Sequence, residues 1–260
     1  MASSNHKTER DIRMKLITSN ATVKTLKQSK EIAGNVQKGN SKILGSTFNL
    51  PTQYCNVGSK LKQITGSVCS DCYAVKIEKG IHGKTVLSSE MNNYEKWQNT
   101  VKTNEYALWI NAMTKQIENI SNLKKKKNEK GAMLHRWFSS GDLQGLAMLE
   151  CIVQIAKKTP AINHWLPTKE KIVVENYIRK HGQFPKNLNV RVSDSMIDGK
   201  QNKDNEFYTR SSVLGRKSNK NDSHLKGYHC PVAFDKNRKS CGDCSACWST
   251  DVSYIIYKQH

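Results

Sequence analysis

From Ala132 onward, apolar stretches of strand length alternate with amphipathic stretches of helix length, and no other feature of the chain restricts its fold as much. Met133 to Phe138 reads as a buried strand, Ser139-Ser140-Gly141-Asp142 as the loop after it, and Leu143 to Lys158 as a helix. In the next unit Ile162 to Leu166 is the strand, Pro167-Thr168 the stop and cap, and Lys169 to Lys180 a helix closed by Gly182. Leu188 to Val192 opens a third unit. Strands separated by helices line up parallel through right-handed crossovers, and their working loops gather at the carboxyl ends of the strands. The expected class is α/β.

Upstream, Ile43 to Leu50 reads as a strand stopped by Pro51. A helical insertion follows: Leu87, Met91, Tyr94 and Val101 keep one helix face, and Tyr106, Trp109, Ile110, Met113, Ile117 and Ile120 keep a second. The run Lys124 to Lys127 turns the chain. Residues 1–40 are polar and basic with weak periodicity, so they are expected to form an N-terminal arm that adds little core, with 41–260 as a single α/β domain. Asp198 to Lys226 has no sustained period and is expected to be a surface excursion or lid. Val252 to Tyr257 is the last expected strand.

Seven of the eight cysteines fall into two groups: Cys55, Cys69 and Cys72, and Cys230, Cys241, Cys244 and Cys247. Residues 241–247 read Cys-Gly-Asp-Cys-Ser-Ala-Cys, a spacing that lets three thiolates from one irregular turn converge on a 4Fe-4S cube, with Cys230 as the fourth ligand. Structural zinc is the alternative, although zinc sites more often pair two knuckles of two cysteines each. The N-terminal group offers three thiols, which on a cube would leave one iron open. It can also be read as a zinc site completed by a histidine, or as sharing a single cluster with the C-terminal group, so the chain holds one cluster or two. Cys151, inside an amphipathic stretch, is expected to be a buried inert thiol.

The segment His135 to Asp142 runs from apolar strand into small polar residues and a carboxylate. Gly141 permits close backbone approach, Asp142 accepts hydrogen bonds from an amine or caps the next helix, and an inward Arg136 needs an anion. Asn163-His164-Trp165 and Arg191 to Ser195 repeat the theme on the following strands. Arg136, Ser140, Gly141, Asp142, His164 and Asp194 are the candidate ligand-binding residues, outlining a polar pocket beside the thiols. Phosphate-binding loops, dinucleotide glycine fingerprints, zinc-protease helices and serine nucleophile elbows are all missing from the sequence.

Forty-two Lys and Arg against twenty-two Asp and Glu give a formal charge of +20, which attracts polyanions and makes nucleic acid a candidate partner. Met1 to Arg13 is polar and charged, and nowhere do about 18 apolar residues run together, so neither a secretory leader nor a membrane span is expected. The expected location is a reducing cytoplasm, where thiols serve metals rather than disulfides.

Cys-Tyr-Ala at 72–74, Arg-Trp-Phe-Ser-Ser-Gly-Asp at 136–142 and Cys-Gly-Asp-Cys-Ser-Ala-Cys-Trp at 241–248 together resemble the phage-encoded family named after the eighty-eighth gene product of a bacteriophage, from about residue 40 to the end. That resemblance implies a viral protein in the cytoplasm of an infected cell. A looser resemblance is to radical S-adenosylmethionine enzymes, which implies a partial parallel (β/α) barrel with cysteine-rich loops. It would make Cys55, Cys69 and Cys72 the cluster triad, put Gly141-Asp142 at the amine-binding segment, and add S-adenosylmethionine as a cofactor. The chain departs from that pattern: thirteen residues separate Cys55 from Cys69, and Asp71 stands where an aromatic residue precedes the third cysteine. The expected function is an iron-sulfur protein, either a redox or radical enzyme acting near nucleic acid, a metal-stabilised protein docking onto nucleic acid or a host protein, or an electron carrier.

Overall fold

The computed structural model describes residues 22–40, 43–203, 205–219, 221 and 224–259. Eight strands form one open sheet: β1 (Gln37–Lys38), β2 (Ser46–Phe48), β3 (Leu134–Trp137), β4 (Asn163–Thr168), β5 (Leu188–Ile197), β6 (Thr209–Leu214), β7 (Tyr228–His229) and β8 (Tyr254–Lys258). Their order is β1-β2-β3-β4-β5-β6-β8-β7. Only β1 pairs antiparallel; every other neighbour is parallel. The α/β class is therefore correct, and the sheet is not closed.

From β2 to β6 the order follows the chain in one direction; β7 then takes the edge and the chain returns to place β8 between β6 and β7. Right-handed crossovers that always step the same way put their helices on the same face. Alternate side chains show it: Phe48, Trp137, Leu166, Val190 and Val192 pack into one core with Trp97, Trp109, Ile110, Met113, Ile152 and Ile155 from the helices. Those helices are α1 (Leu26–Ala33), α4 (Gly83–Thr103), α5 (Tyr106–Lys126), α6 (Leu146–Lys158) and α7 (Lys171–His181), with short α2 (Asn56–Leu61), α3 (Tyr73–Glu78) and α8 (Pro231–Phe234) in the cysteine-bearing loops. The opposite face of the sheet is covered by the chain's own C-terminal segment, where Trp248 packs with Leu44, Trp165, Leu134 and Tyr257.

Two expectations need correction. Residues 1–21 of the expected basic arm lie outside the described residues, but the rest of it is not peripheral: Ala33 and Val36 belong to the core. The buried Gln116 side chain donates to the Ser29 and Gly34 carbonyls and accepts from the Val36 amide, fastening α1 to α5. The stretch Asp198 to Lys226 contains β6. Its Thr-Arg-Ser-Ser segment lacks an apolar signal because its buried side chains are satisfied by hydrogen bonds, Thr209 to Asn189 and Ser212 to Asp194 and Tyr254.

The rim over the carboxyl ends of the strands depends on one close approach. The Leu50 amide donates to the Ser140 carbonyl, and Gly141, at φ +79°, lies so near that a Cβ there would stand 2.5 Å from the Leu50 carbonyl oxygen. Gly141→Ala is therefore expected to lower the unfolding free energy by at least the ~1–2 kcal/mol of a left-handed non-glycine residue, with the steric clash added, read as a lower urea-unfolding midpoint. An unchanged midpoint would refute this role.

Candidate metal centres

The two cysteine groups occupy different places on the sheet. Cys55 and Cys72 each stand immediately before a short helix, α2 and α3, with side chains not spent on capping. The loop bearing Cys69 is held against the far end of β5: the Val68 amide donates to the Ser195 carbonyl at 2.8 Å and the Ile197 amide to the Gly66 carbonyl at 2.9 Å. Asp71 ties the same loop to the end of the sheet through Lys76, Arg216 at 2.9 Å and Gln259 at 3.1 Å. The three thiols thus share the carboxyl rim. Burial first, then the neighbouring Asp142, Cys72 and Cys69, push the Cys55 thiol far up; burial also raises Cys69. A Cβ on Gly58 would sit 3.7 Å from both the Cys55 and the Cys69 sulfur, so this glycine keeps the space between them open.

Around this group lies a set of ionisable residues that the sequence reading passed over. Lys169 faces Cys69, Asp142, Asp194 and Cys72, and its amine donates to the Asp194 carbonyl; burial lowers its pKa. The Glu170 carboxylate accepts from the Val57 amide at 2.8 Å. Glu78 accepts from the Thr52 amide at 2.7 Å and from Ser140 Oγ at 3.4 Å. Beside it Glu90, buried, is pushed up to about 8, first by burial and then by the Glu78 charge.

The C-terminal group lies on the face away from the helices. Cys230 follows β7, whose partner β8 carries Tyr257, and the Tyr257 hydroxyl is 3.2 Å from the Cys247 sulfur. Cys230, Cys241 and Cys244 act electrostatically on one another, as do Cys230 and Cys247. The Cys230 carbonyl accepts from the Ala233 amide at 3.0 Å and the Phe234 amide at 3.2 Å. Burial raises all of Cys230, Cys241 and Cys247, the last to about 11. The segment is pinned to the sheet by Asn189, which donates to the Cys247 and Ser249 carbonyls, and by Trp248, whose Nε1 donates to the His135 carbonyl at 2.8 Å. Arg191, fully buried, donates to the carbonyls of Arg210, Ser249 and Val252.

The remaining sequence candidates divide. Asp142, 5% exposed, caps no helix, since α6 begins after Gly145; its carboxylate accepts from Leu143 N, Thr168 Oγ1 and Lys169 N, locking the β3 loop to the end of β4. Ser140 is buried beside Glu78. His164 is not on the rim: it is buried on the helix side, accepting from Trp137 Nε1 and bonded to Thr159, and burial pushes it down to about 3. Asp194 is buried beneath the rim, taking hydrogen bonds from Ser212, Tyr254 and Asn202, with Arg210 at 3.7 Å. Arg136 points to the face away from the helices. It donates to the hydroxyl of Tyr73, the residue after Cys72, and acts electrostatically on Cys241 and Cys247. Cys151 is fully buried in α6.

Among the described residues, which include all eight cysteines, there is no disulfide, and no group of three or more His, Cys, Asp or Glu side chains is arranged to hold a metal ion. The donor set at each place, thiols beside a cation, is of the kind that thiolate-bound groups use. Each has thiols, a neighbouring cation and, at Gly58, a space that a side chain would fill. Among the described residues, no helix is long and apolar enough to cross a membrane.

An open, mostly parallel α/β sheet with thiols at its carboxyl rim and again on its helix-free face defines the class: an α/β protein organised around two cysteine-bearing segments. Residues 15–250 match the Gene product 88 family model, and the chain belongs to this phage gene-product family. No curated protein and no solved structure matches it.

The carboxyl pair beside the first thiol group has a measurable signature. Between about pH 4.5 and 8 the folded chain holds a proton on Glu90 that the unfolded chain has released, so this residue's contribution to stability falls as pH rises. Buried neutral His135 and His164, with lowered pKa values, act the opposite way below about pH 6.5, equally in parent and variant. Glu90→Gln keeps the donor and loses the titration. Its unfolding free energy relative to the parent should climb from about pH 5 to about pH 8, by up to about 1.4 kcal/mol per pH unit. A flat difference across that range excludes the raised carboxyl.

Proposed function

We propose that this chain is an iron-sulfur redox protein of the infected cell with two centres. One is held by Cys230, Cys241, Cys244 and Cys247; the other, held by Cys55, Cys69 and Cys72, is open to a further ligand. The observation that carries the reading is Arg191. It is fully buried, it makes no salt bridge among the described residues, and the groups acting on it are Tyr257 and Cys247. A buried cation without an anion is costly. Thiols left protonated by burial supply none, whereas a cluster bound by four thiolates is a net negative charge in that place. Tetrathiolate zinc would be anionic too, and the repeated two-residue spacing of Cys241, Cys244 and Cys247 favours the cube.

Bound there, such clusters pass one electron at a time, and one held by three thiolates has an iron available to a substrate. The chain's own residues prepare that position. Lys169 sets a cation beside Cys69 and Cys72, Asp142 fixes the Lys169 backbone, and Glu90 holds a proton next to Ser140. The consecutive order of β2 to β6 supports a barrel left open, as in radical S-adenosylmethionine enzymes. The long Cys55–Cys69 separation and Asp71 weigh against that family's chemistry, so the proposal is redox chemistry at the open position with S-adenosylmethionine as one ligand to assay. The charge of +20 supports work on or near nucleic acid. The backbone ties at Asn189 and Trp248 favour a second duty for the four-thiol centre, stapling the C-terminal segment to the sheet.

Anaerobically prepared protein should carry about eight iron and eight sulfide per chain. Cys241→Ser should remove one half and Cys69→Ser the other, while Gly58→Ala should lower only the half that depends on Cys69. Stoichiometric zinc without sulfide overturns the reading. Affinity for nucleic acid should fall steeply with salt, as phosphate neutralisation requires; binding that is absent at low salt removes the nucleic-acid part.

A further inference from the structure

Tyr54 and Tyr94 lie face to face, with ring centroids 3.7 Å apart and planes inclined by 4°. Both are half-buried, and both line an open groove of about 480 Å³ together with Glu95, Gln98, Asn99 and Lys102. Tyr94, Gln98 and Lys102 stand at i, i+4 and i+8 of α4, so a ring, an amide and a cation form one row along the helix. The other end of the pair adjoins the carboxyl rim. Tyr54 directly precedes Cys55, and its carbonyl accepts at 3.0 Å from the Gln144 side-chain amide, which also donates to the Asp142 carbonyl at 2.9 Å.

Within the groove the charges of Glu95 and Lys102 offset one another, so it is not by itself an anion site. A polyanion is drawn instead by the charge of +20 on the whole chain. What the groove adds is flat aromatic surface flanked by amides, a chemistry suited to a planar base with hydrogen-bonding edges. A duplex keeps its bases stacked on one another and has no free base face to offer. We propose that this groove binds single-stranded nucleic acid by stacking a base on the Tyr54–Tyr94 pair, with Gln98 and Asn99 at the base edges and Lys102 at a phosphate, and so brings the strand to the carboxyl rim. The proposal deepens the nucleic-acid part of the reading above and requires no metal at either cysteine group.

The test uses the full-length protein and two fluorescein-labelled probes of equal length, oligodeoxythymidine and the same sugar-phosphate chain without bases. Anisotropy titrations should show oligodeoxythymidine bound about tenfold more tightly, the size of one base–aromatic stack. Because the two probes carry the same phosphates, that ratio should hold as salt rises while both affinities fall. Tyr94→Leu, which keeps an apolar side chain but no aromatic face, should abolish the ratio by weakening oligodeoxythymidine alone, and Tyr94→Phe should preserve it. If the tyrosines only brace the turn before Cys55 against α4, Tyr94→Leu lowers thermal stability and leaves the ratio intact, which overturns the proposal. Should Tyr94→Leu not fold, the parent gives a second readout: an irradiated oligonucleotide carrying 5-bromodeoxyuridine should cross-link to the peptides bearing Tyr54 or Tyr94 when single-stranded and not when paired in a duplex. Equal affinity for the two probes, cross-links confined to other segments, or cross-links formed equally in the duplex overturn this proposal and leave charge-driven binding of nucleic acid standing. No binding of either probe at low salt overturns it together with the nucleic-acid part of that reading.

Discussion

The layout of this molecule is set by a sheet whose strands β2 to β6 follow one another in a single direction. Because they step one way, their crossover helices fall on one face, and Phe48, Trp137, Leu166, Val190 and Val192 are buried against them. The other face is left without helices. A chain of this size cannot leave the indole of Trp165 and the backbone of several strands to water, and the segment after β7 covers them with Trp248 and the cysteine turn. The C-terminal cysteines are therefore part of the second layer of the fold, and the N-terminal cysteines are where loops at the carboxyl ends must meet. One topological fact fixes both positions.

The electrostatics repeat at the two places. Burial drives Cys55, Cys69, Cys230, Cys241 and Cys247 toward their neutral forms, yet a cation stands beside each group, Lys169 at the rim and Arg191 on the helix-free face. Lys169 is answered by Asp142 and Asp194, whereas Arg191 donates to three neutral carbonyls and has Tyr257 and Cys247 beside it. Arg191 is therefore the cation for which the proposed thiolate-bound group would supply the missing charge.

How much of this could be read from the residues depended on whether the signal was local. Cys241, Cys244 and Cys247 fall within one turn of chain, so their gathering is written in the spacing. The placement of Cys69 is not, because it relies on Gly66 and Val68 pairing with the end of β5, and Ser195-Met196-Ile197 carries no mark of that contact. The strands with apolar cores were legible; β6 was not, because Arg210 and Ser212 are buried through hydrogen bonds. His164 illustrates the finest limit. Adjacent residues on a strand face opposite ways, so the question of whether His164 or Trp165 turns from the helices depends on a register of one. The pairing of Arg136 with Trp165 sends Trp165 to the thiol side and His164 into the core. Lys169, Glu78 and Glu90 escaped notice because isolated charged residues carry no pattern until a fold collects them.

That collection also shows how the rim is built. Arg136 lies on the helix-free face, bonded to the Tyr73 hydroxyl, while Glu90, Glu78 and Ser140 come from the helix side, on the loop and helices that follow β2 and β3. The rim lies between them because Gly141 lets the loops after β2 and β3 touch, and Asp142 and Glu78 both act on Cys55 there. Charged side chains from both faces of the sheet thus meet at the N-terminal cysteines, which is why that group cannot be separated from the sheet that carries it.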